Sequence, residues 1–162
     1  MLKNSGTIVL SELLSPATIQ LHLKGGDRDA VLEELVDRIP AIANRLEIRG
    51  TLLRALRERE QLYSTGIGDG VALPHARNAL VGLVDRPVLV FGRHAPGIPY
   101  GAIDGAPAQL FFLVVAPTVT QHLAMLARIS RLLRNPRVRQ DLLMADTAAT
   151  VITVVRKAEA EI

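Results

Sequence analysis

Hydrophobic residues recur along this chain with two periods. After a lead-in over residues 1–17, where Ser11-Glu12-Leu13-Leu14 has room for one helical turn before Pro16, Ile19, Leu21 and Leu23 alternate with Gln20, His22 and Lys24. That is the pattern of a half-buried strand, ended by Gly25-Gly26, with His22 on the solvent side. Asp27 is a good N-cap, and Ala30, Val31, Leu35, Val36 and Ile39 follow at helical spacing. This helix is expected to reach about Asn44, bent at Pro40. A second runs from about Gly50 to Gln61, with Leu52, Leu53 and Leu56 inward and Arg57-Glu58-Arg59-Glu60 as a solvated charge cluster in its last turn.

Strand patterns return with Val71-Ala72-Leu73 and with Pro87 to Phe91, a buried run. Gly92 to Pro107 is rich in Gly and Pro and is expected as a loop or a loosely turned hairpin. Gln109 to Val115 is the most hydrophobic strand, expected at the centre of the sheet and stopped by Pro117. Thr120 reads as the N-cap of a helix with Leu123, Leu126, Ile129, Leu132 and Leu133 on its apolar stripe, ending near Asn135-Pro136. A short helix covers Val138 to Met144, and a last one starts at Asp146 or Thr147 with Val151, Ile152, Val154 and Val155 inward. Strands interspersed with helices indicate a layered α/β fold, and 162 residues fit one domain.

Composition changes this picture little. Aromatics are 3% of the chain, so Leu, Val, Ile and Ala must fill the core. The absence of cysteine excludes disulfides and thiolate metal sites and fits a reducing compartment. The polar start Met1-Leu2-Lys3-Asn4-Ser5-Gly6 does not resemble a signal peptide. No apolar run reaches the roughly 18 residues of a membrane span, so a cytoplasmic protein is expected. Net charge is +3, with 16 Arg and 3 Lys. This mild basicity suits an acidic partner, and genome composition explains it equally well.

The stretch Ser64-Thr65-Gly66-Ile67-Gly68-Asp69-Gly70-Val71-Ala72-Leu73-Pro74-His75-Ala76-Arg77 concentrates the candidate chemistry. Glycines 66, 68 and 70 permit positive φ and leave N–H groups open to an anion, with Ser64 and Thr65 as added donors. A plain turn between helix and strand is the alternative. Neither a dinucleotide fingerprint nor a P-loop fits, because the glycines follow a helix and no lysine is present. Pro74 stiffens the approach to His75, whose imidazole is a structural group or a nucleophile that can be phosphorylated. His94 reads as a surface loop residue. No metal-type spacing is present, so neither a metal nor another cofactor is expected. Arg128, Arg131, Arg134, Arg137 and Arg139 form a basic stretch, either a solvated face or a dock for an acidic protein. No aromatics interleave with them, which disfavours nucleic acid.

The segment resembles the active-site region of the IIA family of the phosphoenolpyruvate-dependent phosphotransferase system, in its mannitol/fructose/nitrogen-regulatory class (EIIA type 2). The matching residues are Arg59-Glu60, Ser64-Thr65-Gly66-Ile67-Gly68, Gly70, Ala72, Pro74-His75 and Arg77. A second block follows in Asp104-Gly105, the strand ending at Pro117, His122-Leu123 and Leu126-Ala127. The resemblance spans about Leu10 to Glu159. It implies a mixed central sheet with helices on both faces, and phosphoryl transfer from an HPr-like carrier to His75, on Nε2, and onward to a downstream acceptor or regulatory partner. It also implies a supporting role for His122 and Arg59, and for Ser64, Thr65, Gly66 and Gly68 contacts to phosphate. The motif reads closest to the nitrogen-regulatory type, with a sugar-transporter IIA component and a non-catalytic binding module as alternatives. Ala76-Arg77 stands where many members have Gly-Lys, Tyr63 is individual to this chain, and Asp69 sets a negative charge among the glycines.

Overall fold

The structure, a computed structural model, describes residues 7–77 and 82–162; the first six residues of the lead-in lie outside them. Its elements are α1 (Leu10–Leu13), a 3-10 turn (Pro16–Thr18), β1 (Ile19–Gln20), α2 (Arg28–Val36), α3 (Leu46–Leu62), β2 (Gly66–Gly68), β3 (Val71–Ala72), β4 (Val88–Ile98), β5 (Ala108–Val115), α4 (Val119–Leu132), α5 (Pro136–Met144) and α6 (Ala148–Ala160). The strands form one mixed sheet in the order β1–β4–β5–β3–β2. The apolar run at 108–115 is its middle strand, antiparallel to β4 and parallel to β3.

Side chains alternate across a strand, so β5 feeds two cores. Leu110, Phe112 and Val114 pack with α1, α4, α5 and α6. Phe111, Leu113 and Val115 pack with α2 and α3 on the other face. Helices therefore cover both faces, as the resemblance implies. Among the described residues, no helix is long and apolar enough to cross a membrane.

Asp27 and Thr147 cap α2 and α6, each accepting from the backbone N–H three residues on. Several expectations are corrected. The α4 cap is Thr118, not Thr120: it is extended, and its Oγ1 accepts the Gln121 N–H at 3.2 Å. The helix expected to run to Asn44 stops at Val36, and tight turns lead through Pro40 to α3. The 19–23 alternation pairs as a strand only at Ile19–Gln20, although the Leu23 N–H still reaches the Arg93 carbonyl at 2.9 Å.

The largest correction concerns Gly92 and His94. Strand β4 does not stop at Gly92 but continues to Ile98, with an irregular register between Arg93 and Ile98. His94 is buried rather than on the surface, and its Nε2 lies 2.9 Å from the Gly25 carbonyl. Gly92 breaks nothing. A Cβ there would stand 2.6 Å from Leu35 Cδ2 and 2.7 Å from Leu23 Cδ1, so its lack of a side chain lets α2 and the segment at Leu23 close on the sheet. Gly92→Ala is expected to destabilise the fold by about 1–3 kcal/mol, as overpacking does, measured by urea denaturation. A loss below about 0.5 kcal/mol, the ordinary surface range, would mean that α2 has room to move away.

Candidate functional site

The glycine-rich run folds as a hairpin. Asp69 at φ 56° and Gly70 at φ 78° form the two-residue connection between β2 and β3, the left-handed pair for which Asp-Gly is a preferred sequence. The Asp69 N–H donates to Asp104 at 2.9 Å. Together with the Ala106 N–H, it holds the Asp104 carboxyl below its ordinary range. The Asp69 carboxylate lies 3.9 Å from Arg139. Register places this turn away from His75: Val71 is opposite Leu110, and His75 is opposite Val114 farther along. Asp69 is a turn residue.

Several of the run's N–H groups are engaged inside the protein. Thr65 N–H donates to Glu60 at 2.8 Å and Gly66 N–H to Ser64 Oγ at 3.0 Å. Both expected hydroxyl donors are also engaged inside the protein. Ser64 Oγ donates to the Tyr100 carbonyl at 2.5 Å, and the buried Thr65 hydroxyl donates to Glu60. A Cβ on Gly68 would lie 2.9 Å from Asp104 Oδ2, so that glycine serves close packing. These four positions build the hairpin that carries β3.

Beyond β3, Leu73 N–H reaches back to the Thr65 carbonyl at 3.0 Å, and the Pro74 carbonyl accepts from Val114 at 3.0 Å. His75 follows, half-buried. Its Nδ1 lies 2.6 Å from the Leu73 carbonyl. A carbonyl only accepts, so Nδ1 carries the proton and neutral His75 keeps its lone pair on Nε2. The parallel strands β3 and β5 end at the same edge. His75 leaves one, and α4 begins just after the other. This brings His122, in the second turn of α4 and 5% exposed, against His75 with ring centroids 5.4 Å apart at 61°.

Arg59 comes from the last turn of α3, where its guanidinium donates to the Tyr63 carbonyl at 2.5 Å. With Ala55, Glu58, Leu62, Ala76 and Arg77 it lines a cleft of about 530 Å³. Burial pushes the His75 pKa below its ordinary 6.5; the Leu73 hydrogen bond opposes the shift and the Arg59 charge adds to it. His122 is lowered by burial first and by His75 second. Two neutral imidazoles and a cation thus meet at the carboxyl ends of parallel strands, where ligand crevices of open α/β sheets form.

Glu60 was expected in a solvated charge cluster and is buried, 4% exposed. The signal was present: residue 60 lies four beyond Leu56 and so falls on the inward stripe of α3. Within the basic stretch, Arg128 pairs with buried Glu159 at 3.0 Å and Arg139 donates to the Leu133 carbonyl at 2.8 Å. Those two arginines have internal work. His22 is exposed, as expected.

The profile of the family described as "Phosphoenolpyruvate-dependent sugar phosphotransferase system, EIIA 2" matches residues 12–158. The chain is 35% identical over 150 residues to the PTS system fructose-specific EIIABC component of Bacillus subtilis, covering 91% of this chain and 23% of that protein; it therefore spans about a quarter of that relative's length. It is 32% identical over 150 residues to the nitrogen regulatory protein of Pseudomonas aeruginosa, covering 91% of this chain and 95% of that one. The crystal structure of nitrogen regulatory protein IIA-Ntr from Neisseria meningitidis superposes with a TM-score of 0.77 at 26% identity, covering 91% of this chain and 99% of that chain.

The lowered imidazoles set a pH dependence. Unfolded histidine takes up a proton near pH 6.5, whereas folded His75 and His122 resist it. Stability from this pair is complete above pH 6.5 and is lost as pH falls through the folded-state values. The urea midpoint is expected to fall between about pH 7 and 5, less steeply in the double variant His75→Ala, His122→Ala. An equal slope in both proteins would mean the rings are not desolvated.

Proposed function

Because the chain belongs to the EIIA type 2 family of the phosphoenolpyruvate-dependent sugar phosphotransferase system, we propose that it is a phosphohistidine carrier with His75 as acceptor. The observation that carries this reading is the Nδ1 contact to the Leu73 carbonyl, which leaves Nε2 as the uncommitted nucleophilic atom. Its lone pair attacks phosphorus on the phosphohistidine of an HPr-like carrier; the donor P–N bond breaks as the new one forms. The Nδ1 proton stays on His75, where the Leu73 carbonyl stabilises the positive charge the ring acquires.

Phosphoryl transfer is mostly positioning and electrostatics. Arg59 offers charge-assisted hydrogen bonds to the equatorial oxygens, and His122, whose ring stands against that of His75, offers a ring N–H. Depressed pKa values keep the acceptor lone pair free at neutral pH. Ser64, Thr65, Gly66 and Gly68 serve the site by holding its backbone, a role their internal hydrogen bonds and packing support better than direct phosphate contact. The downstream role we propose is regulatory, acting on protein partners, supported by similarity along nearly the full length of a nitrogen regulatory protein. Higher identity to a fructose-specific component supports a second reading, transfer to a sugar-transporter partner.

With phosphoenolpyruvate, the general enzyme and an HPr-like carrier, the protein is expected to gain an acid-labile, alkali-stable phosphate that His75→Ala abolishes. Arg59→Ala should slow labelling on the order of 100-fold with little loss of stability, and His122→Ala should slow it while the fold persists. Equal label in His75→Ala would overturn the assignment. Onward transfer to a fructose-type IIB domain would favour the second reading over the first.

A further inference from the structure

Glu60 is a buried carboxylate that accepts hydrogen bonds from Thr65 and Tyr100. Its Oε1 accepts the Thr65 N–H at 2.8 Å, and its Oε2 accepts the Thr65 hydroxyl and, at 3.0 Å, the Tyr100 hydroxyl. All three donors are neutral. Burial of Tyr100, with the Glu60 charge second, raises the phenol pKa far above its ordinary value, so that hydroxyl remains a donor. A buried carboxylate is costly, and an apolar residue of similar volume often serves stability as well or better. What Glu60 provides that an apolar residue does not is a fixed position for the N–H and hydroxyl of Thr65.

That position is transmitted. The Thr65 carbonyl accepts the Leu73 N–H at 3.0 Å, and the Leu73 carbonyl lies 2.6 Å from His75 Nδ1. Between them Pro74 locks φ, and its carbonyl is tied to Val114. Glu60 also follows Arg59 directly. Successive residues point about 100° apart on a helix, so the same turn of α3 lines the cleft with Arg59 and grips the hairpin under His75 with Glu60.

We propose that Glu60 is a positioning residue for His75: through Thr65 and Leu73 it sets which ring nitrogen holds the proton and fixes the imidazole relative to Arg59. The consequence for transfer rests on the reading of His75 as phosphoacceptor; the consequence for the ring does not.

The test uses the full chain with ¹⁵N-labelled histidine, whose imidazole shifts report the tautomer, alongside the rate of phosphoryl acceptance. The unaltered protein should hold His75 as the Nδ1–H form. Glu60→Ala should populate both forms and lower kcat for acceptance by about 10- to 100-fold, as misplacement of a reacting group does. KM for the carrier should change by less than about twofold. Glu60→Gln, which can keep the Thr65 N–H bond, should fall between, and decides the matter if Glu60→Ala does not fold. Glu159→Gln is the control: a second buried carboxylate that holds the N–H groups of Leu10 and Ser11, it should lower stability without moving the His75 signals. If folded Glu60 variants keep the Nδ1–H form and lose rate only with their folded fraction, the proposal is overturned. If the unaltered protein takes no phosphate on His75, the carrier reading fails, while the tautomer result still decides the role of Glu60.

Discussion

The parallel pairing of β3 with β5 is the constraint on which the site depends. Two parallel neighbours finish at one edge, so whatever follows each is delivered to the same place. Pro74-His75 follows β3, and the Thr118 cap with the first turns of α4 follows β5. The length of β3 matters little, because the bond from Val114 to the Pro74 carbonyl extends the ladder past its last regular residue. Proline costs this ladder nothing, since only its carbonyl is used.

On this frame, desolvation gives the histidine pair its character. Burial is the first cause that lowers both pKa values, so both imidazoles are held neutral near pH 7. A neutral ring anchored at one nitrogen is directional: its chemistry is confined to the other. Arg59 contributes to the same end, because a nearby cation disfavours a second positive charge on His75. Under the proposed carrier role an arriving phosphoryl group would reverse that relation, and the cation that disfavours protonation would attract it.

Much of the fold and of the candidate site was legible in the chain. Helical and strand periods located most elements, although their ends moved: β4 ran on through Gly92, and α2 stopped at Val36. Glycine carries opposite meanings that a single sequence does not separate. At position 70 it makes a turn, at 92 it admits Leu23 and Leu35, and at 68 it admits Asp104. A breaking Gly92 would leave His94 on the surface; a close-packing Gly92 carries the strand on and buries it. Ser64 and Thr65 likewise looked like ligand donors because a hydroxyl's partner is invisible in the sequence, and both proved to be bound within the protein.

The order of apolar and polar residues by itself determined that this is a layered α/β protein with the 109–115 run at its centre, and it concentrated the candidate chemistry between Ser64 and Arg77, because burial follows local periodicity and glycine, proline and histidine are informative where they stand. Only the tertiary structure decided that His122 meets His75, that His75 keeps its free lone pair on Nε2, that Asp69 turns a hairpin away from the site, and that Glu60 lies beneath it. The first depends on register between strands, and the others on which partner a nearby polar group or backbone takes, a choice among local alternatives that packing makes.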